Sequence, residues 1–170
     1  ENKKTRYMIN ASLKYQLFDW LDVVGRVKID NYDNRSTYKA YASTSSLASG
    51  SRGTYADTSS QSKNTYADAI ATLNKSFNDW SVNVNLGVSL SDSRYEMIGY
   101  EGGLKLINFF AVHNIDFNKA WKAKQSGWHD QTRAIFANAE IGWKSMIYLT
   151  ATGRNDWDSR LAFSDYKSFF

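Results

Sequence analysis

The residues of this chain that could do chemistry are few and far apart. Asp30 and Asp33 come nearest to a pair of catalytic carboxylates, but along an extended strand they point to opposite faces and cannot act on one bond. His113 and His129 lack a cysteine partner and the HExxH spacing of a helical zinc site, so structural or solvent-facing roles outweigh metal binding. Asn155, Asp156 and Asp158 carry oxygens that suit calcium, yet the rest of an EF-hand pattern is missing, and hydrogen bonds to the loop backbone are their commoner use. No phosphate-cradling glycine loop, nucleophile elbow or Ser-His-Asp order is present. The chain reads as a non-enzyme with no catalytic residues, no metal and no cofactor.

Recognition chemistry is better represented. A sugar is held by aromatic rings stacked on its apolar face and by Asn, Asp or Arg reaching its hydroxyls. Tyr38, Tyr41, Arg94, Tyr95, Arg154 and Trp157 offer that mixture in upper, inward or loop positions and are the candidate ligand-binding residues. The competing use of each is as an interfacial aromatic or as loop packing. Two of them fall in "TGRNDWDSRL" (Thr152–Leu161), which follows the alternating strand "MIYLTA" with a mix that neither a core nor a catalytic site explains.

The elements that must position these residues have a period of two. In "RYMINASLKYQL", Tyr7, Ile9, Ala11, Leu13, Tyr15 and Leu17 share one face, with Arg6, Asn10, Ser12, Lys14 and Gln16 on the other. In "WSVNVNLGVSLS", Trp80, Val82, Val84, Leu86, Val88 and Leu90 alternate strictly with small polar residues and Gly87. Looser versions at Leu21–Asp30, Tyr66–Phe77, Thr132–Ile141 and Ser145–Arg154 bring the expectation to six long strands. Tight tryptophan-bearing turns at "FDWLDV", "FNDWSV" and "IGWKSM" alternate with long loops at Ser45–Lys63 and Glu96–Asp130.

Composition narrows the class. The chain has 170 residues, which suits one domain or part of a larger one. It has no cysteine, which is compatible with a reducing compartment or a bacterial envelope. The net charge of +4 rests on scattered lysines, which argues against a nucleic-acid partner. No apolar run is long enough for a transmembrane helix, but barrel strands need only about 9–11 alternating residues. A soluble β-sandwich would have strands about half as long. A membrane barrel sets its apolar face against lipid and its polar face on a wet lumen, and the Asn, Ser and Gln of the first and fourth strands fit that lumen. Phe18, Trp20, Phe77, Trp80 and Trp143 near the short turns, and Tyr7, Tyr38, Tyr41, Tyr66 and Tyr95 toward the other ends, are expected to form two aromatic girdles.

On this footing the segment "IYLTATGRNDWDSRLAFSDYKSFF" (Ile147–Phe170) resembles the SusC/RagA family of TonB-dependent outer-membrane transporters, whose pattern is of the type "lyltatgRnDWsS-L" followed by an aromatic segment. Asp158 stands where the family usually has serine. "LKYQLFDWLDVVGRVKIDNYDNR" (Leu13–Arg35) is similar to the family's hairpin around a "dWL" turn, and "LINFFAVHNID" (Leu106–Asp116) to its "pNfFsl-N" loop without the proline. The resemblance implies a barrel of about 22 strands, with a plug, TonB as energy source, a SusD-like surface lipoprotein as partner, and glycans or peptides as ligands. It makes residues 1–170 a partial TonB-dependent transporter barrel, with no plug domain and no TonB box, in the bacterial outer membrane. The fold expected is all-β: an antiparallel transmembrane β-barrel segment of about six long strands with long extracellular loops, in contact with membrane lipid. The alternative is a soluble or surface all-β module that binds glycans or acts as an adhesin.

The loop Glu96–Asp130 holds too many apolar residues to be freely solvated, among them Leu104, Leu106, Ile107, Phe109, Phe110, Ile115 and Trp121. "LINFFAV" is expected to pack on the barrel itself, and "NKAWKAKQSGW" (Asn118–Trp128) to lie nearer the partner or solvent, since Lys119, Lys122 and Lys124 resist burial.

Overall fold

The computed structural model describes residues 1–44, 50–119, 121–161 and 167–169. Residues 45–49 of the serine-rich loop, Ala120, and 162–166 and 170 of the family-like tail lie outside them. The chain forms β1 (Asn2–Phe18), β2 (Leu21–Ala40), β3 (Thr54–Phe77), β4 (Trp80–Gly103), β5 (Trp121–Trp143), β6 (Ile147–Asp158) and β7 (Lys167–Phe169), with one 3-10 turn at Val112–Asn114. All belong to one antiparallel sheet in which each strand pairs with its neighbours in sequence, and the sheet is not closed. This is the architecture of a β-barrel segment.

The six expected strands are present but longer than their alternation suggested, and β7 is a short addition. β3 and β4 reach 24 residues each, several times an ordinary strand. The loop expected at Glu96–Asp130 is therefore confined to the stretch after Gly103 and before Trp121. The short turns use residues in the left-handed region, with φ of 52° at Asn78, 49° at Lys144 and 55° at Ser145, which matches the twist of tight hairpins.

The chain divides into two compact units. Unit 1 comprises Glu1–Tyr7, Asn31–Lys63 and Arg94–Trp128, and unit 2 comprises Met8–Asp30, Asn64–Ser93 and His129–Phe170.

Unit 2 is a two-faced sheet. Alternation sends Leu13, Val27, Leu86, Val88, Ile135, Ile141 and Leu149 to one face, where they stay uncovered. Leu13 is 74% and Leu149 72% exposed. The β5–β6 register keeps the sides apart: Ile141 faces Leu149 and Trp143 faces Ile147, while Asn138 faces Thr152 and Glu140 faces Thr150. The apolar stripe runs through Ile9–Leu17, Leu21–Ile29, Ala67–Phe77, Trp80–Leu90 and Ile135–Trp143, about 9–11 residues per strand, which is the length a tilted strand needs to cross a bilayer. Aromatic rings gather at the short-turn end. Phe18 stacks on Trp20 at 5.2 Å and Trp80 lies 6.5 Å from Trp143. Lys75 and Lys144 sit over Trp20 and Trp143. The second girdle differs from expectation. Tyr66 falls on the polar face by strand parity, and Tyr38 and Tyr95 lie on the corresponding alternate positions of β2 and β4, so a two-residue period removes them from the apolar stripe.

Unit 1 is built differently, around a small core of Tyr55, Leu104 and Ile115, with Tyr100, Phe110 and Val112 packed on it. Leu104 and Ile115 form an antiparallel bridge, and Gly102 is needed beside it because a Cβ there would lie 2.6 Å from the Ile115 Cγ2.

Candidate functional site

The polar face of unit 2 carries the densest constellation of interacting side chains. Even-numbered positions of β2 and β3 bring Arg26 opposite Asp68, and the guanidinium grips the carboxylate through two 2.9 Å hydrogen bonds from Nε and Nη2. The Asp68 side chain is only 1% exposed while that of Arg26 is half in solvent. Without Arg26 the carboxylate would be left desolvated and unpaired. Asn10, Ser12, Lys28 and Tyr66 complete the walls of this cleft. Lys28, Asp30, Asn64, Tyr66 and Ser91 line its neighbour. Further along the same face, Thr72 donates to Asn85 at 2.8 Å, Asn85 to Asn83 at 2.9 Å, and Asn83 to Asn74. Lys14 pairs with Asp22 at 3.0 Å. Such a surface, rich in amides, hydroxyls and paired charges around a tyrosine, can hold water, a polar ligand or another polar protein surface.

The "GRNDWD" motif resolves by parity. Arg154, Asp156 and Asp158 share the polar face, while Asn155 and Trp157 lie on the other. Arg154 forks onto Asp156, two residues along, at 2.9–3.0 Å, and its guanidinium lies 5.9 Å from the Phe136 ring. Phe136 is the one large aromatic of β5 on this face between Thr132 and Gly142. It covers Gly87 so closely that no Cβ would fit there. An aromatic ring thus fills the gap left by a strand glycine, and an arginine caps the ring. Asp158 accepts from the Arg160 Nη2 at 2.6 Å, the Arg160 backbone N–H at 2.9 Å and Thr132 Oγ1 at 3.2 Å. These bonds, led by Arg160, hold its carboxyl well below the usual range. The aspartates of the motif are thus paired with arginines, and no metal-binding cluster occurs among the described residues.

The six residues singled out from sequence are divided between the two units, Tyr38, Tyr41, Arg94 and Tyr95 in unit 1 and Arg154 and Trp157 in unit 2. Arg154 joins the polar-face cluster just described. Trp157 faces the apolar side of β6, opposite Arg133 in the register. Arg94 and Tyr95 are adjacent on β4 and so point to opposite faces. In unit 1, Tyr95 stacks on Trp128 at 6.2 Å, Tyr41 meets Phe110 edge-on at 4.8 Å, and Tyr38 is exposed. His129 belongs to β5 rather than a loop, and its Nε2 lies 2.8 Å from Asp92. Sequence reasoning missed Arg26, Lys28, Asp68 and Phe136. The first two were legible, since "RVKID" already places Arg26, Lys28 and Asp30 on one face.

The "NFFAVHN" stretch gains a physical account. Asn114 is buried, and its side chain accepts from Leu106 N at 3.0 Å and donates to Leu106 O at 3.0 Å and Phe109 O at 2.7 Å. Asn108, at φ 55°, accepts from Ala42 N at 2.8 Å. Two asparagines therefore fasten this loop. The expected division of the loop is revised. Phe110 and Val112 pack on the unit 1 core, but Leu106 and Ile107 are 65% and 64% exposed. "NKAWKAKQSGW" is mostly the start of β5. Arg35 forks onto Asp57 at 2.7 and 3.1 Å, which holds the Asp57 carboxyl below its ordinary range.

No protein-family model and no curated protein matches the chain. Among solved structures, it is similar to the RagAB peptide transporter, with a TM-score of 0.89 at 13% identity over 99% of this chain and 19% of that one. The RagAB peptide importer in its "closed-closed" state gives 0.88 at 13% identity with the same coverage. The siderophore receptor PiuA from Acinetobacter baumannii gives 0.53 at 11% identity, over 99% of this chain and 28% of that one. The chain thus spans about a fifth of the RagAB chain it matches. At these identities the likeness is one of fold: the seven strands are arranged as a stretch of a transporter barrel is.

Proposed function

We propose that this chain is a wall segment of an outer-membrane TonB-dependent importer of the SusC/RagA type, which takes up peptides or oligosaccharides. The observation that carries the reading is the two-faced sheet of unit 2. Its apolar stripe has bilayer length and is left uncovered, and its opposite face is a network of amides, hydroxyls and paired charges. A soluble sandwich would bury one of these faces against a second sheet. The likeness to RagAB and PiuA supports the same reading. In it, unit 2 crosses the membrane, its polar face looks into the lumen, and unit 1 stands in external water. A SusD-like lipoprotein is the proposed partner, and the exposed Leu106 and Ile107 on the asparagine-fastened loop are its proposed contact.

The test is purification of the full-length protein from outer membranes, with TonB-dependent uptake of labelled peptides and oligosaccharides measured in parallel. Extraction should need detergent, one cargo class should accumulate only with TonB, and Leu106→Asp should reduce co-purification of the lipoprotein while leaving the barrel folded. Recovery as a soluble monomer would overturn the reading, and unchanged co-purification would remove the partner contact.

A further inference from the structure

The apolar face of unit 2 is not uniform. Ala67 and Ala69 leave β3 without bulk where Val88, Leu90, Ile135 and Trp157 stand on the strands alongside, and these side chains line a trough. Arg133 also lines it, exposed, directly opposite Trp157 in the β5–β6 register. An arginine on this face is unusual company for Ile135, its same-face neighbour on β5. Its pairing is unusual too. Arg26, Arg35, Arg154 and Arg160 each grip a carboxylate, but Arg133 donates from Nη2 only to the amide oxygen of Gln131, at 2.9 Å, and no carboxylate pairs with it among the described residues. Asp92, on the same face of β4, is engaged by His129 at 2.8 Å and by the Gln131 Nε2 at 3.2 Å. Asp158, which borders the trough through the strand, is held by Arg160 on the opposite face.

We infer that this trough is a specific site for a lipid with a phosphate headgroup: one acyl chain lies along Ala67 and Ala69, and the phosphate meets the Arg133 guanidinium beside Trp157. The inference rests on the membrane reading above. Tryptophan prefers the level where acyl chains give way to headgroups, so Arg133, paired across from it, is at phosphate depth. Its planar fork matches a phosphate bidentately. With an amide in place of a carboxylate partner, the guanidinium keeps its charge for an external anion. The alanines supply the width an acyl chain needs, where a Leu or Phe would fill it. The chemistry selects phosphate over a zwitterionic headgroup, whose choline nitrogen would offset the attraction.

The experiment is native mass spectrometry of the full-length protein in detergent, titrated with phosphatidylglycerol or with phosphatidylcholine of identical chains. One phosphatidylglycerol should be retained in preference to phosphatidylcholine by roughly tenfold, the order that one charge-assisted contact supplies. Arg133→Gln should abolish the preference, Arg133→Lys should restore part of it, and Ala69→Phe should reduce retention of both lipids. Folding of each variant is checked by the heat-dependent gel mobility of the barrel. Equal retention of the two lipids by the wild type, or an undiminished preference in Arg133→Gln, overturns the site while leaving the importer reading intact if uptake persists. A protein that needs no detergent would overturn both.

Discussion

Units 1 and 2 both draw on β1 to β5 yet solve burial in opposite ways. Unit 1 has a hydrophobic centre, Tyr55 with Leu104 and Ile115, and its ordered loop is fastened by the buried Asn114. Unit 2 has almost none: among its described residues Ala134 is the buried hydrophobic one, while its leucines, valines and isoleucines are half-buried or, as at Leu13, Leu86, Ile135 and Leu149, exposed. A segment surrounded by water must gather its apolar atoms inward. A segment with hydrocarbon on one side need not, and its stability comes from the hydrogen-bonded ladder and the surrounding lipid. On the membrane reading proposed above, the contrast reflects the solvent that each unit meets.

The sharpest test of that contrast places the same charge in each. Leu86→Arg, in the stripe of unit 2, should destabilise the assembled barrel by about 2–4 kcal/mol. Ile98→Arg, an exposed β4 position of unit 1, should cost well under about 1 kcal/mol. Urea unfolding in lipid vesicles reads both, and equal effects would erase the distinction. Next in size is Asn114→Ala, which strips three hydrogen bonds from the loop and should cost about 1–3 kcal/mol. Limited proteolysis should show the loss at residues 104–119, with the strands of unit 2 still protected. Loss of protection in both units together would show that the two are not separable.

The smallest effect is a pH dependence. Asp57 and Asp158 have carboxyls lowered by Arg35 and Arg160, so each pair adds stability above the unfolded carboxylate value of about 4 and loses it as pH falls below that. Both arginines are largely in solvent, so screening by water keeps the contribution of each pair small. The melting difference between wild type and Asp57→Asn should be present at neutral pH and shrink as the pH drops through the acid range. A difference that grows on acidification would contradict the assignment.

The same contrast explains what the sequence made visible. Period-two alternation is strong in "WSVNVNLGVSLS" because one face of this strand is apolar and the other polar. It fades in "RYEMIGYEGG" (Arg94–Gly103), where Glu96 and Ile98 share a face and Gly99 and Gly103 interrupt the other, so β4 looked like the start of a loop. Where water bathes both sides, nothing enforces the pattern, and strand ends go unread. Parity also separated residues that sequence proximity had joined, as with Arg94 and Tyr95 or Arg154 and Trp157. The partners of Arg26 and Phe136 lie 42 residues away at Asp68 and on another strand at Gly87. Only the register of the sheet brings such pairs together.

The strand order of the sheet has a further consequence, for how such a protein comes into being. Because β1 to β7 are neighbours in space in the order of synthesis, each strand needs only the one before it as a template. The entropy of closing a chain rises slowly with loop length and is lowest for the tight hairpins, so this stretch of sheet can grow by adding one hairpin after another. The same serial order means that each hairpin of this stretch depends for its pairing only on the strands that flank it.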